Sequence, residues 1–194
     1  LQAAARLTPR DSMRPTTYVT LLALMAATGL RISEALALQL DDFTPSGLVI
    51  RHTKFRKSRL VPLHPTVRSS INRYLTLRHR VAGTDRSLFV SLWGTGLSYS
   101  TVNTVFLQLL RSVGLRGDPG SHGPCMHDLR HTFAVRSLEA CKSRDEDVER
   151  HILALSTYLG HAHPSDTYWY LQPTPKLMDS VARSGEGLFQ GGPA

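Results

Sequence analysis

Residues 28–34 read TGLRISE and close a strongly apolar run, TTYVTLLALMAATGL, that begins at Thr16. The run predicts a well-buried helix, and Gly29 is the kind of residue that ends one. The following RISEALALQL spaces its apolar residues as a second short helix would. Arg31 therefore lies at the junction of two helices, where it can face a phosphate. Taken alone, an ordinary exposed arginine at a helix start is the more common case.

The remainder of the chain is also mostly helical in pattern. Helical spacing recurs in residues 67–81, 98–113, 127–141 and 145–160, and a last helix is predicted over residues 175–182. The runs LVIRHT and RLVPL flank a basic stretch and predict a β-hairpin. Residues 1–14 predict a linker or N-terminal arm, and residues 83–97 a loop region. The predicted fold class is α+β, mainly α with a small antiparallel β-sheet.

Charge is the most informative part of the composition. The chain carries 23 lysines and arginines against 15 aspartates and glutamates, a formal net charge of +8 with an isoelectric point near 10.0. Such an excess attracts polyanions, of which nucleic acid is the most common. An anionic membrane surface is the alternative, but no run approaches the roughly 18 apolar residues of a membrane span. Cys125 and Cys141 form no CxxC pair, which predicts a reducing, cytoplasmic environment without disulfides.

Cleaving a DNA phosphodiester without a metal requires three kinds of group. Arginines must bind the non-bridging oxygens, a hydroxyl must attack phosphorus, and an acid must protonate the leaving oxygen. The stretch HTKFRKSR offers four cations, and the tip of a hairpin can deliver one lysine to a phosphate. Charge runs are usually solvated surface, and the pattern alone does not choose between Lys54 and Lys57.

The motif HDLRH places His127, Arg130 and His131 on one helical face. It resembles the zinc motif HExxH, although Asp128 replaces the glutamate, and LGHAHPS adds two further imidazoles. A histidine–metal hydrolase is therefore an alternative. Imidazoles beside arginines suit a phosphate better than a dication, so we predict no metal site.

Two further features are ambiguous by themselves. The run SDTYWYL contains Tyr168, Trp169 and Tyr170, and such an aromatic cluster lies in a protein core more often than in an active site. Glu34 follows Arg31 by three residues on the same helix face. It either orients a neighbouring basic group or is a solvated carboxylate.

Together these fragments resemble the tyrosine recombinase, or phage integrase, family. Four motifs stand in the family's order: TGLRISE, TKFRKSRLVPL, HDLRHTFA, and LGH followed nine residues later by Tyr170. Each motif is weak alone, but the ordered set covers residues 7–178 and is specific. The resemblance implies the tyrosine recombinase catalytic-domain fold over residues 15–172. We expect residues 173–194 to form a C-terminal helix and tail that packs on its own domain or on a neighbouring protomer.

The resemblance assigns the groups that would act on the phosphate. Arg31 and Arg130 match the family's two arginines, and His127 matches the histidine of its HxxR motif. His161 stands where the family has histidine or tryptophan after LG. Lys54 matches the hairpin lysine, because the family's spacing to RLVPL counts back to it.

The nucleophile and the supporting residues follow from the same comparison. Tyr170 matches the attacking tyrosine, and Tyr168, two residues earlier, is the fallback. Glu34 matches an accessory acidic position. The remaining cations of the hairpin are expected to contact DNA: Arg56, Lys57 and Arg59.

The resemblance implies a site-specific DNA recombinase or integrase that works through a 3′-phosphotyrosyl intermediate. Its partner would be double-stranded DNA, bound by a homo-tetramer that holds two sites, with no membrane partner. The wording of PSDTYWYL is closest to mobile-element integrases, yet integration, excision, transposition and dimer resolution all stay open. Most members carry an N-terminal domain that clasps DNA, whereas only a short arm precedes Thr16 here. We therefore expect either an excised catalytic domain or reliance on a partner.

Two other classes compete with this interpretation. A type IB topoisomerase shares the fold and the chemistry but relaxes one duplex as a monomer. A non-catalytic DNA-binding module would keep the basic helices with an inert site, although the intact set of matched residues argues against it.

Overall fold

The computed structural model describes residues 1–51, 58–81, 83–143, 148–161, 163, 165–168 and 170. The chain forms two compact units, Leu1–Phe133 and Ala134–Ala194. The division into arm, catalytic domain and tail stays a prediction.

The first unit contains the helices that the apolar patterns predict. They are α1 (Arg14–Thr28), α2 (Ile32–Ala37), α3 (Pro65–Arg78) and α4 (Tyr99–Ser112). The predicted stop of α1 is confirmed, since Gly29 has a left-handed backbone (φ 62°) and its N–H donates to the carbonyl of Met25. Ser98 caps α4 as predicted, because its hydroxyl accepts from the N–H of Thr101. The predicted arm contains a short 3-10 helix, Ala4–Arg6, packed against α1.

The sheet of the first unit is small and antiparallel. Its strands are β1 (Phe43–Thr44), β2 (Gly47–Ile50) and β3 (Arg59–Val61), in the order β1-β2-β3. The predicted hairpin is β2 with β3, and Leu48 pairs with Val61 and Ile50 with Arg59. Strand β1 was not predicted, because two residues in a turn-rich stretch show no periodicity. The basic stretch between β2 and β3 lies at residues 52–57, outside the described residues.

Helix α1 lies at the centre of the first unit's core. It packs against α3, and α2 packs against α4. The segment predicted as a loop, residues 83–97, also contributes to the core, since Leu88, Phe89 and Val90 are buried. Arg78 holds this segment in place, because its buried guanidinium donates to the carbonyls of Asp85 and Ser87.

The described residues of the second unit lie mostly in helices. α5 (His127–Ser143) begins in the first unit and continues into the second, where α6 (Val148–Leu159) contacts α7 (Ser165–Tyr168). Its apolar core residues include Ala134, Leu138, Ile152, Leu155 and Leu159. The predicted helix over residues 175–182 lies outside the described residues. Within the described part of the chain, no helix has the length and apolarity needed to cross a bilayer.

Candidate active site

Arg31 lies immediately before α2, two residues after the turn at Gly29. Its backbone is extended (φ −67°, ψ 146°), and its carbonyl accepts the first hydrogen bond of α2 from the N–H of Ala35. The side chain is 36% exposed, so its guanidinium is accessible to a ligand. The prediction that Arg31 stands at a helix junction is confirmed.

Glu34 is the centre of a hydrogen-bond network in the first unit. Its carboxylate accepts from the backbone N–H of Arg31 at 2.9 Å and from the Arg31 side chain at 3.2 Å. It also accepts two hydrogen bonds from Arg59, at 3.0 and 2.9 Å. The Glu34 side chain is only 9% exposed and that of Arg59 12%. Glu34 is therefore not a solvated carboxylate, and it orients basic groups as the sequence suggested.

The charge of Glu34 is stabilised despite its burial. Burial raises the pKa of the carboxyl, but the hydrogen bonds and positive charges of Arg59 and Arg31 outweigh it and hold the pKa below the ordinary value. The carboxylate is thus ionised at neutral pH. The network fixes the strand that carries Arg59 to the helix that Arg31 precedes.

Arg130 lies in the first turn of α5 and is almost wholly buried, with 1% of its surface exposed. Its Nη1 donates to the carbonyl oxygen of Gly29 at 2.8 Å. The left-handed turn that ends α1 therefore supplies the carbonyl that accepts from Arg130. Arg31 follows the same turn by two residues. In this way the structure brings Arg31 and Arg130 to the same turn.

His127 is exposed at the first residue of α5. Partial desolvation lowers the pKa of its imidazole, and the charges of Arg130, Arg31 and His131 lower it further against the opposing effect of Asp128. The ring is consequently neutral at pH 7 and can accept a proton. Asp128 stabilises the start of this helix, because its carboxylate accepts from the N–H of Cys125 at 2.7 Å.

His161 and Tyr170 are adjacent in the second unit. Their rings are stacked, with centroids 5.9 Å apart and an interplanar angle of 19°. Nδ1 of His161 lies 2.8 Å from the hydroxyl of Thr167, and the His161 N–H donates to the carbonyl of Ser156 at 3.0 Å. Tyr170 is 6% exposed. The interval of nine residues between His161 and Tyr170 therefore places the two rings together.

Three of the predicted site residues lie outside the described part of the chain: Lys54, Arg56 and Lys57. The catalytic and DNA-contact roles of all the named residues stay predictions. Among the residues that the structure does describe, no group of three or more His, Cys, Asp or Glu side chains is arranged to hold a metal ion. The histidine–metal alternative therefore has no ligand set in that part of the chain.

Sequence reasoning missed two contributors to the site. A sequence motif does not indicate the role of the Gly29 carbonyl, because every residue has a backbone carbonyl. Thr167 lies within the aromatic run SDTYWYL, and its sequence context did not predict a contact with His161. Its position six residues after His161 and three before Tyr170 was the one available signal.

Residues 2–176 match the profile of the Phage integrase family. The chain belongs to the phage integrase family. Over 186 residues it is 42% identical to a protein of Sinorhizobium fredii that carries the name integrase/recombinase y4rB. That match covers 93% of this chain but 59% of the relative, so this family member spans about three fifths of the relative's length.

Two solved structures establish the fold of this family member. The XerA recombinase is similar with a TM-score of 0.73 and 23% identity, over 95% of this chain and 62% of the other. The Tn1549 transposon integrase, solved in complex with transposon right end DNA, is similar with a TM-score of 0.68 and 18% identity, over 96% and 63%. The predicted fold class, mainly α with a small antiparallel sheet in a tyrosine recombinase catalytic domain, is confirmed.

Proposed function

We propose that this phage integrase family member is the catalytic part of a site-specific DNA recombinase in which Tyr170 is the nucleophile. The observation that carries the proposal is the stacking of Tyr170 on His161 within a chain of this family. A buried aromatic cluster alone would be assigned to the core. Stacking on His161 instead places the Tyr170 ring beside an imidazole that follows the end of α6.

The groups that hold the non-bridging phosphate oxygens are the side chains of Arg31, Arg130 and His161. Arg31 is accessible, and Glu34 holds both its backbone N–H and its guanidinium. Arg130 is oriented by the carbonyl of Gly29. Guanidinium groups fixed in this way before the reaction stabilise charge on the non-bridging oxygens without reorganising during it.

The reaction exchanges one phosphoester for another. The Tyr170 oxygen forms a bond to phosphorus, the bond between phosphorus and the 5′-oxygen breaks, and a 3′-phosphotyrosyl link results. His127 accepts the tyrosine proton or contacts the phosphate, and its lowered pKa keeps it neutral for the first role. Lys54 donates a proton to the leaving 5′-oxygen. A 5′-hydroxyl of another strand then reverses the steps, so no cofactor or metal is required.

The proposed substrate is double-stranded DNA. Support comes from the net charge of +8 and from the similar fold of the Tn1549 integrase, which is bound to transposon DNA in its structure. Strand exchange between two duplexes requires several active sites, and we propose a homo-tetramer on two DNA sites. We further propose a mobile-element or phage-like origin, which the similar fold of the Tn1549 transposon integrase supports.

A pool of nicked duplexes with randomised sequence around the nick tests the proposal without a known target site. The nick lets the fragment that carries the 5′-hydroxyl diffuse away, so that the covalent adduct accumulates. Incubation at low salt compensates for the few phosphates that a single domain neutralises. We expect an adduct on denaturing gels that peptide mapping assigns to Tyr170, that is absent in Tyr170→Phe and that forms equally in EDTA.

Other outcomes reject the proposal or part of it. An adduct that maps to Tyr168 would overturn the choice of nucleophile, and loss of the adduct in EDTA would overturn the metal-free mechanism. Efficient relaxation of supercoiled plasmids that lack any selected site would instead indicate a topoisomerase. Absence of an adduct from the whole pool would indicate a non-catalytic module.

A further inference from the structure

Thr167 has a buried hydroxyl, and the proposed reaction gives this hydroxyl no role. It lies in the four-residue helix α7 and has 0% of its surface exposed. Its Oγ1 is 2.8 Å from Nδ1 of His161. The hydroxyl therefore touches the imidazole that stacks on Tyr170.

The direction of this hydrogen bond follows from the partners that are available. In the described part of the chain, the Nδ1 atom of His161 is the one partner of the Thr167 hydroxyl. If Nδ1 carried the proton and donated it, the hydroxyl proton of a fully buried side chain would have no acceptor there. A buried donor without an acceptor is destabilising. The arrangement that satisfies both groups has Thr167 donating to Nδ1.

This direction sets the tautomer of His161. A neutral imidazole has one N–H donor and one accepting nitrogen. When Nδ1 accepts from Thr167, the proton is on Nε2, the nitrogen that Thr167 does not contact. His161 can then donate a hydrogen bond from Nε2 to an anionic oxygen.

Three contacts also fix the orientation of the ring. The backbone N–H of His161 donates to Ser156 at the end of α6, which anchors the residue. The stacked ring of Tyr170 restrains the plane of the imidazole, and Thr167 restrains its rotation within that plane. The Nε2–H donor is thereby preorganised next to the tyrosine.

We propose that Thr167 is a positioning residue that holds His161 as the Nε2–H tautomer, so that His161 donates to a phosphate oxygen attached to Tyr170. This inference rests on the proposed function of Tyr170 and His161. It adds the residue that determines which imidazole nitrogen carries the proton.

Nitrogen chemical shifts of the histidine rings test the tautomer directly in the free protein. The spectra are recorded on the full chain with ¹⁵N-labelled histidine near pH 8, where an ordinary imidazole is neutral. His161→Gln identifies the signal. We expect Nε2–H in the wild type and in Thr167→Ser, which keeps the hydroxyl, and a mixture of tautomers in the isosteric Thr167→Val. Nδ1–H in the wild type, or an unchanged tautomer in Thr167→Val, would overturn the proposal.

Covalent adduct formation on the nicked duplex pool provides the functional readout. We expect Thr167→Val to slow adduct formation about tenfold or more, because a phosphate loses a fixed donor, and Thr167→Ser to keep most of the rate. An equal loss in Thr167→Ser would contradict the need for a hydroxyl. If the wild type forms no adduct, the proposed function fails, and the tautomer measurement still decides whether Thr167 holds His161 as the Nε2–H tautomer.

A tryptophan at position 161 separates positioning from packing. The indole of His161→Trp has a single N–H, which is always a donor and has no alternative tautomer. Adding Thr167→Val to that variant is therefore expected to slow adduct formation no further. The same loss in both backgrounds would show that Thr167 acts through packing alone and would reject the proposal.

Discussion

Glu34 and Arg59 stand 25 residues apart in sequence, and two hydrogen bonds of 3.0 and 2.9 Å join their charged groups. The pair ties the first residue of β3 to the first turn of α2, whose preceding residue is Arg31. Because Glu34 also accepts from Arg31, one carboxylate fixes both arginines. Arg59 thus has a partner within the chain, and its predicted contact with DNA stays a prediction.

Removing the charge of Glu34 is expected to destabilise the protein. Glu34→Gln leaves the mostly buried guanidinium of Arg59 facing an amide, and a lost hydrogen bond to a charged group costs about 1–3 kcal/mol. The matched control is Asp41→Asn, whose ion pair with Arg86 is about two-thirds exposed on both sides; such pairs contribute about 0–1 kcal/mol. Urea unfolding followed by circular dichroism measures both. Equal losses in the two variants would contradict a special role for Glu34.

Acid should remove the contribution of Glu34. Its pKa in the folded state is below the ordinary value of about 4.5, so between the two pKa values the unfolded chain binds more protons. The stabilisation is therefore complete above the unfolded pKa and is lost as the pH falls through the folded pKa. We expect the difference in unfolding free energy between wild type and Glu34→Gln to be constant near neutral pH and to shrink below about pH 4.5. A difference that grows on acidification would reject this reasoning.

The elements that were predicted well are those whose formation depends on residues close to one another in sequence. The apolar run before Gly29 predicted where α1 ends, and the cap at Ser98 predicted where α4 begins, because periodicity and capping depend on neighbouring residues. The two β-branched runs gave the pairing of β2 with β3. The family's motif order added the candidate site, which composition and periodicity did not provide.

The features that sequence missed depend on contacts between distant segments. Nothing near Arg59 in HTKFRKSR distinguishes it from its neighbours, since its partner Glu34 lies on another element. The burial of Arg78 depends on hydrogen bonds to the carbonyls of Asp85 and Ser87, which lie on another segment. The hydrogen bond between Arg130 and Gly29 spans 101 residues and uses a backbone atom. Hydrogen bonds between such distant residues form only in the folded chain, so a sequence pattern does not predict them.

The pH dependence of cleavage should report the lowered pKa of His127. If the neutral imidazole accepts the proton of Tyr170, the rate falls when His127 becomes protonated, with a midpoint below the ordinary value of about 6.5. Single-turnover adduct formation on the nicked pool, measured from acidic to neutral pH, gives this midpoint. His127→Gln should lack this acidic limb, whereas the exposed control His79→Gln should retain it. A limb that survives in His127→Gln would assign the titration to another group.

The turn at Gly29 should be needed for catalysis beyond its effect on stability. Gly29 has φ 62° and offers its carbonyl to Arg130, whereas Gly114 has φ 73° with open space around its Cα. A left-handed backbone costs a residue with a side chain about 1–2 kcal/mol. Because Gly29 is buried and Gly114 is exposed, Gly29→Ala should lose at least as much stability in urea as Gly114→Ala. Adduct formation should fall about tenfold or more in Gly29→Ala alone, because relaxation of this turn shifts the acceptor of Arg130 and the backbone before Arg31. Equal rates in the two variants, both folded by circular dichroism, would show that the turn does not position the arginines.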